Sequence, residues 1–137
     1  MGCYMANAYD VIFIDDEVSL TDIFQQYIIW KYKEWNFMTF NNSMMAYNAI
    51  VSNRVTAKVW IVDMMMPQKN GADIAEAIRL QNGDKPVILA YTALDRRALE
   101  SNEVYGNGIK YFNHIINKRE DFSSILSLVE VWVGSQN

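Results

Sequence analysis

The chain's strongest constraint is an alternation of short apolar runs with helix-like segments. Val11 to Ile14, Val59 to Val62 and Val87 to Tyr91 are continuous β-branched, aromatic and aliphatic runs, each bounded by polar residues. Runs of this kind mark strands covered on both faces, as in a parallel sheet. Phe37 to Phe40 is a shorter strand candidate, and a fifth lies within 109–117. Between them, apolar residues recur at helical spacing: Leu20, Ile23, Phe24, Tyr27 and Ile28, then Met44, Tyr47, Ile50 and Val51, then Ile74, Ala77 and Ile78. Ser43 is positioned to cap the second of these helices, and Asn82 with Gly83 stops the third. Leu94 to Tyr105 reads as a weakly amphipathic fourth helix. Phe122, Ile125, Val129, Trp132 and Val133 mark a closing one. Strand then helix, five times over, predicts an α/β domain with a parallel sheet between two helical layers.

The 137 residues suit one domain. No linker-like tract or internal repeat divides them, and 1–9 reads as a loose N-terminal extension. Apolar residues make up 51% of the chain, which excludes a disordered protein. The net charge of −4 offers no basic field for a phosphate backbone and argues against nucleic-acid binding. Cys3 is the sole cysteine and His114 the sole histidine, so cysteine-based and multi-histidine metal sites are excluded. No apolar run approaches the ~18 residues of a membrane span, and Met1 to Met5 does not resemble a secretion signal. A cytoplasmic setting is expected, with no membrane association.

The carboxylates are the informative polar residues. In an open doubly wound sheet, ligands bind beyond the carboxyl ends of the strands, where strand order reverses. Asp15 and Asp16 end the first strand, Asp63 the third, and Thr92 follows the fourth. If the first and third strands are neighbours, three carboxylates converge, and such crowding demands a cation or protons. Hard oxygen donors of this kind suit Mg²⁺. From spacing alone, a metal site and a set of ordinary helix caps both remain open.

The residues also carry a resemblance. Val11 to Ile14 followed by Asp15, Asp16 and Glu17 resembles the opening of response-regulator receiver domains of two-component signalling. Asp63-Met64-Met65-Met66-Pro67, with Gly71 beyond, resembles their phosphorylation segment, and Val87 to Thr92 with Ala93 their fourth strand. The resemblance spans about Asp10 to Val133. It implies a flavodoxin-like (βα)5 fold with a five-stranded parallel sheet of order 2-1-3-4-5. It further implies that Asp63 accepts a phosphoryl group from a histidine kinase or phosphotransfer protein. Mg²⁺ would be held by Asp15, Asp16, Asp63 and the backbone carbonyl of Met65. Thr92 would bond the phosphoryl group, and a lysine near the fifth strand would pair with it.

Family spacing places that lysine near His114 or Ile115, and neither is one. Lys110 comes early and Lys118 late. The apolar residues of the last helix fall at the family's distance from Lys118, which favours Lys118 and implies a short insertion around Tyr105–Asn113. Lys110 stays as the alternative. Arg119 stands where the family usually has proline, and Ile115 where it has an aromatic. The resemblance also implies an output surface on the fourth helix, fifth strand and fifth helix, with Tyr105, Tyr111 and Phe112 as candidate contacts. Met65 and Leu94 occupy the two positions flanking the water that would hydrolyse the acyl phosphate; both are apolar, which implies a long-lived phosphorylated state.

His114 reads as structural or solvated, the methionine run as loop packing, and Asn70-Gly71 and Gly106-Asn107-Gly108 as turns. Two other classes compete with a phospho-acceptor. One is a receiver-like interaction module that is never phosphorylated. The other is a Mg²⁺-dependent phosphohydrolase, which would want an aspartate where Met65 stands.

Overall fold

The computed structural model describes residues 6–135. Its elements are β1 (Asn7–Ile14), α1 (Val18–Lys31), β2 (Phe37–Phe40), α2 (Ser43–Val51), β3 (Val55–Asp63), α3 (Gly71–Asn82), β4 (Val87–Thr92), α4 (Arg96–Glu100), a 3-10 helix (Gly106–Tyr111), β5 (His114–Asn117) and α5 (Phe122–Ser135). The five strands form one parallel sheet in the order β2-β1-β3-β4-β5, the expected flavodoxin-like topology.

Strand alternation divides the core into two layers. Ile12, Ile14, Trp60, Val62 and Ile88 meet Ala46, Ala49 and Ile50 of α2 and Ile74, Ala75 and Ile78 of α3. Val11, Phe13, Val59, Ile61, Leu89 and Tyr91 meet Phe24 and Ile28 of α1 and Phe122, Ile125, Leu126, Val129 and Val133 of α5. Both faces of Val11 to Ile14, Val59 to Val62 and Ile88 to Tyr91 are therefore dry, which is why these stretches read as unbroken apolar runs. The edge strands β2 and β5 are only partly covered.

Four expectations need correction. Residues 7–9 are not loose: they begin β1 and pair with Val55, Thr56 and Ala57 of β3. Residues 1–5, Cys3 among them, lie outside the described part of the chain. Asn42, not Ser43, caps α2, its side chain accepting from the Met45 amide at 3.0 Å. The fourth helix does not run from Leu94 to Tyr105. Asp95 caps it and it ends at Glu100, because the Asn102 side chain accepts from the amides of Val104 and Tyr105 and so displaces the helical ladder. Finally, Asn70 is not merely part of a turn. With Asp73 it forms a capping box that starts α3.

The segment between α4 and β5, where an insertion is expected, lies against α3. A methyl group on Gly108 would come within 2.2 Å of the Ala72 Cβ. The Tyr111 hydroxyl donates to Glu76 at 2.7 Å. The Arg79 guanidinium donates to the carbonyls of Tyr111, Gly83 and Pro86 and to Asn113 Oδ1. That same Asn113 oxygen accepts the Ile88 amide at 2.7 Å, just before the β4–β5 ladder begins. Because the contact at Gly108 leaves no room for a side chain, Gly108→Ala should destabilise the fold by about 1–3 kcal/mol in urea denaturation. An unchanged midpoint would mean that this segment is not seated on α3.

Candidate functional site

The site is built by register. Ile14 pairs with Val62, so Asp15, next along β1, comes level with Asp63, the last residue of β3. This is the boundary where strand order reverses. On the other side of β3, Asp63 pairs with Tyr91 and Thr92 pairs with Asn117. Lys118 is the next residue, and its amide donates to the Thr92 carbonyl at 2.9 Å.

Carboxylate oxygens of Asp15, Asp16 and Asp63 lie within 4.8 Å of one another. The Lys118 ammonium bridges two of them, 3.1 Å from Asp15 and 3.3 Å from Asp63. Lys110 is far from this duty: it is exposed, with its ammonium over the ring of Tyr111 at 5.3 Å. Asp15 and Asp63 are buried, while Asp16 faces solvent. Burial, followed by the charge of Asp15, pushes the Asp63 carboxyl up to about 7. Burial also raises Asp15, against the pull of the Glu17 amide and of Lys118. Burial alone would lower Lys118, but Asp63 and Asp15 together outweigh it and hold the ammonium above its ordinary value.

Three carboxylates against one ammonium leave two negative charges uncompensated, and all the donors are hard oxygens. That donor set fits Mg²⁺. Asp15 Oδ1 is already engaged with the Glu17 amide at 2.9 Å, whereas Asp15 Oδ2 is buried with only the Lys118 ammonium beside it.

Thr92 is buried, and its Oγ1 accepts from the Leu94 amide at 3.1 Å. Met65 donates its amide to Asp63 Oδ1 at 3.3 Å, and its side chain is 55% exposed. Leu94 packs partly buried against the cluster of Met64, Ala90 and Leu99. Gly71 closes the loop from the other side: a Cβ there would lie 2.6 Å from the Asp63 carbonyl oxygen. The Lys118–Arg119 bond, where proline was noted as missing, is trans. His114 lies on the exposed edge strand, stacked on Trp132 at 5.0 Å.

Two further groups were not assigned to the site from sequence. Tyr91 lies beneath Lys118, with its ring 5.3 Å from the ammonium. Its position beside Thr92 in a run buried on both faces was the available signal. Asn41, just before α2, bonds the β1–α1 loop, and Ser43, the first residue of α2, bonds the β3–α3 loop; their spacing in the sequence carries no such signal.

No protein-family model and no curated protein matches the sequence. Solved structures do superpose on nearly all of it. The receiver domain of the Francisella response regulator 1452 aligns with a TM-score of 0.73 at 18% identity, covering 94% of this chain and 99% of that one. The receiver domain of a sensor histidine kinase from Pseudomonas aeruginosa, with magnesium coordinated in its active-site cleft, aligns at 0.70 and 16%, covering 93% and 99%. An adenylate cyclase from Rhodopirellula baltica aligns at 0.71 and 17%, covering 96% and 90%. The chain has the receiver-domain fold. At these identities the likeness extends to the fold and no further.

The raised Asp63 carboxyl has a consequence for stability. Folded Asp63 binds a proton that the unfolded chain has already lost above its ordinary value of 3.8. The folded state therefore holds more protons across that interval, so stability falls as pH rises from 3.8 toward about 7 and then levels off. Asp63→Asn should flatten this slope and raise the melting temperature at pH 8 in metal-free buffer. An equal slope in both proteins would assign the pH dependence to other groups.

Proposed function

We propose that this chain is a phospho-acceptor receiver domain, in which Asp63 takes a phosphoryl group in the presence of Mg²⁺. The observation that carries this reading is the Lys118 ammonium shared between Asp15 and Asp63 at the carboxyl end of the sheet. A lysine there neutralises a crowded pair of acids, and it can follow one of them when that acid becomes an acyl phosphate.

Asp15, Asp16, Asp63 and the Met65 carbonyl would hold the metal, which supplies charge compensation for the transferring phosphoryl oxygens. The remaining work belongs to the chain. An Asp63 carboxylate oxygen attacks the phosphorus of a phosphohistidine whose other ring nitrogen carries a proton, the N–P bond breaks with its electron pair going to nitrogen, and neutral imidazole departs. Lys118 then exchanges its contact with Asp63 for one with a phosphoryl oxygen. Thr92 already accepts from Leu94, so its hydroxyl proton is available to donate to another phosphoryl oxygen. The carboxylate needs to be ionised to attack, and a divalent cation held beside it would favour that form over the value of about 7 that Asp63 has alone.

The donor under this reading is a histidine kinase or phosphotransfer protein, and the location is cytoplasmic. The downstream partner would meet the face of α4, β5 and α5. Tyr105, Tyr111 and Phe112, the candidate contacts, are all partly exposed; Tyr105 and Phe112 also pack against the cluster of Met64 and Leu99, and Tyr111 bonds Glu76 of α3. Leu128, Val131 and the stacked pair of His114 and Trp132 add apolar surface on α5 and β5.

Incubation with a small phosphodonor and Mg²⁺ should add one phosphoryl group by intact mass, and Asp63→Asn should abolish the gain. A chain that stays unmodified under those conditions is an interaction module and not an acceptor.

The acyl phosphate should persist. Neither Met65 nor Leu94 can hydrogen-bond a water for in-line attack, and an orienting contact worth about 1.4 kcal/mol changes a rate roughly tenfold. Met65→Asn should therefore shorten the lifetime about tenfold, whereas Leu94→Glu should act less cleanly because Leu94 also packs against Met64, Ala90 and Leu99. Unchanged decay in Met65→Asn would mean that access of water at this position does not set the rate.

A further inference from the structure

The proposed metal site draws on two loops, the β1–α1 loop with Asp15 and Asp16 and the β3–α3 loop with the Met65 carbonyl. Mg²⁺ accepts little departure from octahedral geometry, so the distance between those loops has to be set before it binds. The strands align Asp15 with Asp63, but they do not fix the residues beyond the strand ends.

A single turn touches both loops. Between β2 and α2, the Asn41 amide nitrogen donates to the Asp15 carbonyl at 3.2 Å and to the Thr21 hydroxyl at 2.6 Å. Thr21 is buried and passes its own proton to the Val18 carbonyl, which fixes the start of α1. Two residues on, Ser43 is 3% exposed. Its hydroxyl donates to the Pro67 carbonyl and accepts from the Lys69 amide. The residue between them, Gln68, has a left-handed backbone with φ of 70°, a conformation that a side-chain-bearing residue rarely adopts without support. The Lys69 ammonium also lies over the Tyr47 ring of α2 at 4.3 Å. Both ends of the left-handed residue are thus tied to α2.

We propose that the turn Asn41–Ser43 is a positioning brace for the site, with Asn41 holding the β1–α1 loop and Ser43 the β3–α3 loop at a fixed separation. Neither side chain touches the acceptor or the ligand oxygens. The brace acts by holding the Met65 carbonyl in place relative to the carboxylates of Asp15 and Asp16. It rests on the reading of the site given under Proposed function.

Ser52, exposed where Ser43 is buried, supplies a control for loss of a serine hydroxyl bond remote from the site. Its hydroxyl also donates to a helix carbonyl, that of Asn48, at the far end of α2 and away from both loops. Mg²⁺ affinity of the full chain would be measured by titration calorimetry for wild type, Ser43→Ala, Asn41→Ala and Ser52→Ala. Amide exchange at Lys69 would be followed without metal. Loss of one such hydrogen bond is expected to weaken Mg²⁺ binding about fivefold in Ser43→Ala and in Asn41→Ala, with none in Ser52→Ala. Exchange at Lys69 should accelerate in Ser43→Ala alone. Equal Mg²⁺ affinity in wild type and both brace variants would overturn the brace while leaving the acceptor reading intact. Equal weakening in Ser52→Ala would overturn it too, since the effect would then be a general loss of stability. A wild type that binds no Mg²⁺ would overturn the acceptor reading itself, and the brace with it. Should Ser43→Ala not fold, Asn41→Ala decides the matter, because Asn41 is exposed and its removal leaves the core intact.

Discussion

The organising interaction is the attraction of one ammonium for two buried carboxylates that would otherwise repel each other. Two like charges about 4 Å apart cost about 4 kcal/mol at an effective dielectric near 20. Asp15 and Asp63 are placed side by side by the register of β1 and β3, so the fold itself creates the repulsion. Lys118 relieves it, and only because β5 ends where it does. The paired residues Thr92 and Asn117, with the Lys118 amide bonded to Thr92, deliver the lysine to the acids from the opposite side of β3. A slip of the β4–β5 ladder would withdraw the cation and leave two buried acids to share protons.

That dependence explains how labour is divided in the chain. The two apolar layers hold the sheet between helices and need nothing from the acidic residues. The polar residues at the strand ends contribute little to that packing and are crowded at its expense. Asp63 shows the cost directly in a carboxyl raised to about 7, mainly by burial. A group held in a state it resists is readily changed by a ligand or a covalent modification, and this is the sense in which the site is poised.

What could be read from the sequence follows the same division. β1, β3 and β4 were legible because burial on both faces leaves no polar residue in the run, and the acids stood out against it. Lys118 was reached by counting back from Ile125, Val129, Trp132 and Val133. Ile125, Val129 and Val133 do line the core face of α5, whereas Trp132 is only partly buried and stacks on His114; β5 ends one residue before the lysine. The start of β1 was not legible, because Asn7 and Ala8 are exposed and join the sheet through backbone bonds alone. Leu94 to Tyr105 looked helical because its apolar spacing is helical, but Asn102 competes for the backbone amides and wins locally. Ser43 was read as a cap because it precedes a helix; its neighbour Asn42 takes that role, and the serine is turned toward another loop. Tertiary hydrogen bonds of this kind have no periodicity and leave no trace in a single sequence.

The junction at Arg79 and Asn113 has a bearing on how such a chain can change over generations. One guanidinium gathers the end of α3, the approach to β4 and the residue before β5, and Asn113 hands the last strand to the Ile88 amide whatever precedes it. Gly108 and Tyr111 are seated on α3, but residues 101–104 ahead of them are largely exposed and stand apart from the register that positions Lys118. Residues can be gained or lost there with the chain emerging at the same point each time. The segment is a place where length can drift while the chemistry stays put.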